Sequence, residues 1–420
     1  MSQRFILSSP MDTGYRHNHY VPEWYQKNFI PASKTNGKLF YLKLKPDEHR
    51  DSKGKIHVAN PLKELSPRQC FAEVDLYTTR FGESESREIE RLFFGAIDAN
   101  GKTAVDHFAD YHYPDWRPEP LHHLVEFMST QKLRTLKGLD WLTEQLNSNN
   151  ANTTLAKMLE LKDLFSATWI ECVWQICDAD NSNTKFIVSD HPITIYNRTL
   201  GPRQPTWCRG SKDPDIRFVG SHTIYPLTLN KVLILTNLAW ARNPYQKAKN
   251  YRPNPGFFRS TMFGFHNLHI NRHLSEQEVR EINFIIKSRA YKYVAAGNKE
   301  WLYPEKFVSK SDWNTYGDGI LLMPDPRSMS YGGEVFAGYK EGSHFAVDPY
   351  GRKPGDPKFG KDDLPDNLET SPLYRFKGEF ARRFGPNRRG VTLNTGQLED
   401  EIDTDTMHKY HLKLAKKRYS

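Results

Sequence analysis

The sequence predicts an α+β protein in which a helical layer packs on a small mixed or antiparallel sheet, followed by an irregular C-terminal extension. Three observations predict this class. Apolar residues recur at intervals of three and four in several long segments, which is the period of an amphipathic helix. Short aromatic and β-branched runs bounded by turn residues lie between those segments. From about residue 306, Gly, Pro and Asp are frequent and the periodicity is lost.

The helices are predicted from the apolar period over 84–112, 119–146, 155–178 and 275–294. The second carries Gln131 and Thr135 on its apolar line, with Arg134 one turn from Gln131, and polar groups buried there need hydrogen-bond partners. The third is dense in Leu, Phe and Trp, which predicts burial on most sides. The fourth begins at Ser275, where Glu278 completes a capping box.

The strands are predicted at 38–44, 185–196 and 222–238. Within 185–196, two apolar runs enclose the turn Ser189-Asp190-His191-Pro192, and Leu229-Asn230 divides 222–238 into a hairpin or two adjacent strands. The polar segment 45–60 is predicted to be a loop, and 242–258 an exposed, partly basic loop.

The length and composition are those of a globular protein. The chain has 420 residues, of which 38% are hydrophobic and 26% charged, and aromatic residues reach 13%. No window reaches 18 apolar residues and no export signal precedes the domain, so we expect no membrane span. We divide the chain into a flexible leader (1–15), an α+β domain (16–305) and an extension with a basic tail (306–420).

The net charge of +9 favours a phosphate-bearing partner, such as nucleic acid or a nucleotide. Basic residues also cluster in the 242–258 loop and in the C-terminal tail. Many basic proteins bind no nucleic acid, however, so the distribution of this charge matters more than its sum.

The four cysteines, Cys70, Cys172, Cys177 and Cys208, are too few for a disulfide framework. Reduced thiols fit the cytoplasm. Cys172 and Cys177 lie in an apolar segment, which predicts buried small hydrophobic side chains rather than reactive thiols.

The stretch Arg16–Phe29 combines two histidines with four aromatic residues and Pro22, which suits the first turn of a helix. Its letters His17-Asn18-His19 suggest an HNH nuclease, but that site draws residues from across a ββα-metal fold, so contiguous letters do not predict it. A histidine beside a rigid element more often faces a site, which favours His19 over His17.

Five polar residues have the chemistry of a phosphodiesterase site. Asp190 and Glu90 would serve as metal ligands or general base, His19 would carry the proton, Arg134 would bind the phosphate, and Gln131 would orient substrate or water. The structural alternatives are a capped turn at Asp190 and a polar network that ties helices together at Glu90, Gln131 and Arg134.

An ordered series of short motifs resembles the pattern of the DUF4238 family over about residues 17–295. The motifs are His19-Tyr20-Val21-Pro22 with Trp24-Tyr25 and Asn28-Phe29, Asp75-Leu76-Tyr77, Ile89-Glu90, Gln131-x-x-Arg134-Thr135, Ser189-Asp190-x-Pro192, Tyr225-Pro226-Leu227 and Asn283. The resemblance implies a soluble protein of mixed α and β structure and no established activity. The resemblance strengthens four of the site candidates that lie at motif positions, whereas the position of His191 often has Asn in the family. The four are His19, Gln131, Arg134 and Asp190.

Two functional hypotheses follow from the sequence. The first is a metal-assisted phosphodiester hydrolase, a nuclease or nucleotide hydrolase, whose cofactor would be a divalent metal. The second is a non-enzymatic module that binds nucleic acid or protein and whose polar motif residues are structural. The absence of P-loop, G-x-G-x-x-G, H-E-x-x-H and G-x-S-x-G patterns disfavours NTPase, Rossmann, zincin and α/β-hydrolase functions.

Overall fold

A computed structural model describes most of residues 17–317 and parts of the chain beyond them. The described residues are 17–52, 54–77, 79–81, 84–86, 94–111, 118–147, 150–170, 172–202, 213–237, 240, 268–317, 335–338, 344–347, 355 and 357. Within them the chain is an α+β fold, as predicted.

The larger sheet has five strands in the order β11-β12-β13-β9-β14. They are β9 (Cys172–Asp178), β11 (Thr194–Asn197), β12 (Ser221–Pro226), β13 (Lys231–Asn237) and β14 (Leu268–His273). All neighbours are antiparallel except β14, which runs parallel to β9. The hairpin predicted over 222–238 is confirmed by the pairing of β12 with β13.

The smaller sheet has four antiparallel strands in the order β10-β15-β2-β5. They are β2 (Leu39–Lys43), β5 (Leu62–Leu65), β10 (Val188–Ser189) and β15 (Tyr293–Ala296). The segment predicted as one strand region, 185–196, therefore contributes β10 to this sheet and β11 to the larger one. The turn between them carries Asp190 and His191.

Short paired strands complete the described β structure. They are β1 (His17–His19) with β6 (Ala72–Val74), β3 (Glu48–Arg50) with β4 (Ile56–Val58), β7 (Thr79–Phe81) with β8 (Ser84–Ser86), and β16 (Val335–Gly338) with β17 (His344–Val347). The prediction of a loop over 45–60 is wrong, because β3 and β4 form a hairpin there. All side chains of these two strands are exposed, so their sequence is polar and lacks the apolar alternation of a strand that covers a core.

The helices are α1 (Glu23–Lys27), α2 (Gly95–Ala109), α3 (Pro118–Arg134), α4 (Leu136–Leu146), α5 (Ala151–Glu160), α6 (Ser166–Ile170) and α7 (Glu276–Arg289). The helix α3 packs against α2, α4, α5 and α6, and α7 packs against β10 and β11. The capping box predicted at Ser275 is confirmed, since its hydroxyl accepts from the Glu278 N–H and the Glu278 carboxylate accepts from the Ser275 N–H. Three-residue and four-residue 3-10 helices follow at Lys299–Leu302, Pro304–Lys306 and Lys310–Asp312.

The N-terminal helix α1 and the two residues after it contact the end of β12 and the turn that follows it. The Tyr25 hydroxyl donates to the Pro226 carbonyl, and its ring stacks on Tyr225 with centroids 5.5 Å apart. The Asn28 side chain donates to the Leu227 carbonyl at 3.3 Å, and Phe29 is fully buried. Tyr25 and Phe29 therefore anchor this segment to the core.

The prediction of one helix over 155–178 is wrong in its second half. The chain leaves α5 and α6 and then forms β9, all seven residues of which are buried. A strand with a neighbour on each side and cover on both faces is apolar throughout, so its residues lose the alternation that identifies a strand. Cys172 and Cys177 lie in β9 as buried free thiols, as predicted, and burial raises the pKa of Cys177 to about 12.

Two further helices differ from prediction. The helix predicted over 84–112 begins later, since 84–86 form β8 and α2 begins at Gly95. The helix predicted over 119–146 is broken at Thr135, which caps α4 through its side chain. A polar N-cap inside an apolar repeat allows the chain to change direction without interrupting the period of its buried residues.

Several predictions lie outside the described residues: the leader 1–15, Glu90, the loop 242–258, Cys208 and most of 306–420. Trp313 and Tyr316, near the start of the segment predicted as an extension, belong to the hydrophobic core. Among the helices that the structure describes, none combines the length and the apolarity needed to cross a membrane.

Candidate functional site

The junction between α3 and α4, residues 131–138, is the point where the polar site residues converge. Thr135 accepts a hydrogen bond from the Gly138 N–H at 3.1 Å and so caps α4. Gly138 cannot be replaced without movement, because a Cβ there would lie 2.1 Å from the Lys132 carbonyl oxygen. The close turn points successive side chains into two separate polar networks.

The first, the Arg134 network, links α3 to α2 and to the segment that follows β1. Gln131 donates from Nε2 to the Tyr20 carbonyl at 2.7 Å and accepts from Arg134 Nε at 2.7 Å. The Arg134 Nη2 lies 2.8 Å from Asp98 Oδ1 as an ion pair without hydrogen-bond alignment. The Tyr77 hydroxyl donates to the Arg134 carbonyl at 2.7 Å. Arg134 is 1% exposed, so its charge depends on these neighbours.

His19 lies at the edge of this network. Its side chain is 17% exposed, with Nε2 3.0 Å from the Arg68 carbonyl oxygen and 3.6 Å from the Glu23 carboxylate. Both contacts are made by Nε2, and among the described residues the His19 ring contacts neither Arg134 nor Asp190. The link to the network runs instead through the backbone of the next residue, Tyr20.

Asp190 is bound by the backbone where β15 begins. Its Oδ1 accepts from the Tyr291 N–H at 2.8 Å, and its Oδ2 accepts from the N–H groups of Lys292 at 2.5 Å and Tyr293 at 2.9 Å. Burial raises the pKa of Asp190 to about 6 despite these three donors and the charge of Lys137. The carboxylate thus fixes the connection between α7 and β15.

The second, the Asp213 network, is a buried cluster of charged groups. The two oxygens of Asp213 each lie 2.6 Å from one ammonium group, Oδ2 from Lys132 and Oδ1 from Lys137. His191 places Nε2 3.2 Å from Asp213 and Nδ1 2.7 Å from the Thr135 hydroxyl. The same Nε2 lies 3.1 Å from Lys132 Nζ. With its proton on Nε2 the ring donates to Asp213 and accepts from Thr135, and with its proton on Nδ1 it accepts from Lys132 and donates to Thr135.

Arg289, on the last turn of α7, adds a third cation to this cluster. Its carbonyl accepts from Lys137 at 2.7 Å, its Nη2 donates to the Leu200 carbonyl at 2.5 Å, and its charge acts on Lys137. The guanidinium lies over the Trp313 ring, 5.1 Å from the centroid, and its Nε has no hydrogen-bond partner.

Burial and like charges shift the titration of these groups. Burial lowers the pKa of Lys137, and Lys132 and Arg289 lower it further against the opposing effect of Asp213. Burial acts to raise the pKa of Asp213, but Lys132 and Lys137 outweigh it, so that pKa lies well below its ordinary value. Burial, with Lys132, lowers the pKa of His191 to about 3. At neutral pH the cluster therefore holds a neutral imidazole and an ionised carboxylate.

Replacing His191 by asparagine is expected to make the fold less sensitive to acid. Between the ordinary histidine pKa of 6.5 and the folded value of about 3, the unfolded chain binds a proton that the folded chain does not. The stability that neutral His191 contributes is complete above pH 6.5 and is lost as the pH falls toward 3. From pH 7 to pH 5 the parent protein should lose about 2 kcal/mol more than His191→Asn, measured by urea unfolding at both pH values. An equal loss in both proteins would show that His191 is protonated in the folded state.

Of the predicted site residues, the structure joins Gln131 directly to Arg134 and joins both to the backbone after His19. Asp190 lies within electrostatic reach of Tyr20 and Lys137, so it borders both networks. Glu90 lies outside the described residues, and its proposed partnership with Asp190 stays a prediction.

Sequence reasoning missed four members of the Asp213 network. Lys132 and Lys137 interrupt an apolar helical repeat, which indicates buried charges. Arg289 follows Ile282 by seven residues on the buried face of α7, so its spacing also predicts burial. Asp213 stands in a polar segment without periodicity, and nothing in the sequence marks it.

A divalent metal is the cofactor that the hydrolase hypothesis requires. The described part of the chain contains no group of three His, Cys, Asp or Glu side chains placed to hold a metal ion. Asp190 has both oxygens engaged by backbone amides, so it would have to release hydrogen bonds to become a ligand.

Comparison with known proteins supports the resemblance drawn from the motifs. Residues 17–300 match the family described as a protein of unknown function, DUF4238. Comparisons with curated proteins and with solved structures give no match. The matched region includes the α3–α4 junction, both polar networks and Asp190, and it covers more than half of the chain. The chain belongs to the DUF4238 family.

Proposed function

We propose that the chain is a non-enzymatic binding module whose ligand carries a phosphate group, as a nucleotide or nucleic acid does. The observation that carries the proposal is the pair of buried ammonium groups, Lys132 and Lys137, held 2.6 Å from the two oxygens of Asp213. A phosphate diester offers the same single negative charge on two oxygens as that carboxylate, and a phosphate monoester offers a larger charge and a third acceptor oxygen.

The charge of the cluster supports an anionic ligand. The cluster has three buried cations, Lys132, Lys137 and Arg289. Two carboxylates oppose them, Asp213 and Asp190, the second of which feels the charge of Lys137, and His191 is neutral. An uncompensated buried charge is unfavourable, and a bound anion would offset it. Asp213 is the more accessible member of its ion pairs, with its side chain 12% exposed. The excess of +9 in the whole chain would attract such a ligand.

The non-enzymatic part of the proposal rests on the occupied state of the motif residues. Gln131 and Arg134 bind each other and the chain, and Asp190 binds three backbone amides. A catalytic base needs a free polar atom that faces its substrate. We therefore assign these residues to the support of the fold, and a cytoplasmic location remains part of the proposal.

Replacing Asp213 by asparagine tests the phosphate site. Removal of the carboxylate leaves Lys132 and Lys137 without their shared partner and should lower the free energy of unfolding by about 3 kcal/mol. It also removes the negative charge that occupies the anion position. Inorganic phosphate should therefore raise the melting temperature of Asp213→Asn more than that of the parent protein, measured by differential scanning fluorimetry against chloride at equal ionic strength.

Two variants serve as controls. Asp215→Asn makes the same change two residues away, at a carboxylate that pairs with Arg217, and should leave the response to phosphate unchanged. Lys137→Met in the Asp213→Asn background should abolish the gain. An equal phosphate response in Asp213→Asn and Asp215→Asn would refute the site, as would no response in any variant.

The hydrolase remains a second candidate because the pKa of Asp190, about 6, suits proton transfer near neutral pH. This function requires that His19→Ala abolish divalent-dependent cleavage of a nucleic acid or nucleotide while the protein keeps its melting temperature. Cleavage that survives this change, or no cleavage by the parent protein, would leave the binding module as the proposal.

A further inference from the structure

One face of the five-stranded sheet carries buried polar side chains beside an indole ring. Ile224 pairs with Ile234, and side chains alternate along a strand, so His222 and Thr236 lie on the same face as this pair. The ring of Trp240 meets that of His222 edge to face with centroids 5.3 Å apart. His222 and Thr236 are fully buried and Trp240 is 2% exposed.

The polar atoms of this face have no hydrogen-bond partners among the described residues. They are His222 Nδ1 and Nε2, Thr236 Oγ1, Trp240 Nε1 and Thr194 Oγ1. Thr194 belongs to the same face because it pairs with Ile224. We call these four residues, Thr194, His222, Thr236 and Trp240, the His222 patch. The adjacent Tyr196 differs, since its hydroxyl lies within hydrogen-bonding distance of the Trp313 and Tyr316 carbonyl oxygens.

The unpartnered atoms of the His222 patch are costly for the fold. Burial, with the nearby charge of Arg198, lowers the pKa of His222 to about 3, so the ring is neutral and has one donor and one acceptor nitrogen. Each buried polar group without a partner destabilises the fold, and several together cost a large share of the stability of a domain. A cluster of such groups therefore indicates a partner that the chain itself does not supply.

The chemistry of the patch defines that partner. The imidazole and the two hydroxyl groups both donate and accept, and the indole N–H donates. A small molecule that satisfies all of these groups must carry both hydrogen-bond donors and acceptors along its edge. Burial disfavours a charged group, and the rings of Trp240 and Tyr196 beside His222 favour a flat aromatic ligand.

We propose that the His222 patch binds an uncharged aromatic heterocycle with hydrogen-bond donors and acceptors, of the kind that a nucleobase presents. Stacking on an aromatic ring would stabilise the bound base, and the hydrogen bonds of the patch would select the edge of the base. The inference does not require the phosphate site, since it concerns a different cluster and an uncharged ligand.

The test uses the full chain and nucleosides, which carry a base without phosphate. Adenosine, guanosine, cytidine and uridine are titrated by calorimetry and by differential scanning fluorimetry. At least one should raise the melting temperature of the parent protein. Thr236→Val keeps the shape of the side chain and removes the hydroxyl, so it should weaken binding of that nucleoside about tenfold.

The matched control is Thr223→Val, one residue along β12 from His222 and on the opposite face. Its hydroxyl accepts from Trp169 Nε1 at 2.9 Å, so this change should lower stability and leave nucleoside affinity unchanged. Equal affinity of the two valine variants would overturn the proposal. So would a parent protein that binds no nucleoside, in particular if Thr236→Val melts higher than the parent because an unpartnered hydroxyl has been removed.

The outcome also separates this proposal from the phosphate site. Lys137→Met should bind the nucleoside as the parent protein does, whereas it should lose the response to inorganic phosphate. Nucleoside binding without a phosphate response would support the His222 patch alone, and the reverse result would support the Asp213 network alone.

Discussion

Replacing Asp190 by asparagine is expected to destabilise the fold by about 4 kcal/mol. The Asn oxygen can replace Oδ2 and accept from Lys292 and Tyr293, but its NH2 group would then face the Tyr291 N–H, which loses its acceptor. Hydrogen bonds to a charged group contribute about 1.5–3 kcal/mol each; one is lost, and the other two are weakened because the acceptor is no longer charged. Urea unfolding of the variant and the parent protein at pH 7 measures the difference.

The control for this change is Asp180→Asn, an exposed aspartate in the turn after β9, which should alter stability by less than about 0.5 kcal/mol. If Asp190→Asn were as stable as the parent protein, the hydrogen bonds of Asp190 would not stabilise the connection between α7 and β15. A stable variant that also lost a measurable cleavage activity would restore Asp190 to the catalytic role predicted from the sequence.

Replacing Asp98 by alanine is expected to cost about 4 kcal/mol, more than replacing its partner Arg134 by methionine. The two halves of this ion pair differ in burial: Arg134 is 1% exposed and Asp98 is 26% exposed. Without Asp98, a charged guanidinium stays buried between the rings of Phe94 and Phe127, and breaking a buried pair in this way costs about 3–5 kcal/mol. Without Arg134, the aspartate can turn to water.

Chemical denaturation of both single variants and of the double variant completes the cycle, which isolates the interaction between the two side chains. The control Asp106→Asn lies on the same helix, where the carboxylate pairs with Lys102 at the surface, and should change stability little. A small effect of Asp98→Ala would mean that another carboxylate balances Arg134, and Glu90 would be the next residue to replace.

Much of the fold followed from the sequence where local pattern and burial agree. The helix α7 has an apolar face and a capping box, and the hairpin of β12 and β13 has a turn between two β-branched runs, so both were predicted. The strand β9 was predicted as helix because a segment buried on all sides is apolar at every position in either structure. The break at Thr135 was missed because the apolar period continues across it.

The candidate site was less predictable than the fold, because it depends on contacts between distant segments. Gln131 and Arg134 share one helix face, and their contact follows from their spacing. The role of Asp190 depends on amides a hundred residues later, and that of Asp213 on two lysines in another helix pair. Residue type indicated that these groups need partners, and only the tertiary structure identifies the partners.

The attachment of α1 to the turn after β12 has a consequence for how the protein is made. Asn28 and Leu227 are 199 positions apart, and β2 pairs with β15 near the end of the family region. On the ribosome, the first helix and strand would emerge tens of seconds before their partners at usual rates of synthesis. We expect the nascent N-terminal segment to stay exposed through most of translation, so that closure of both sheets is a late and slow step.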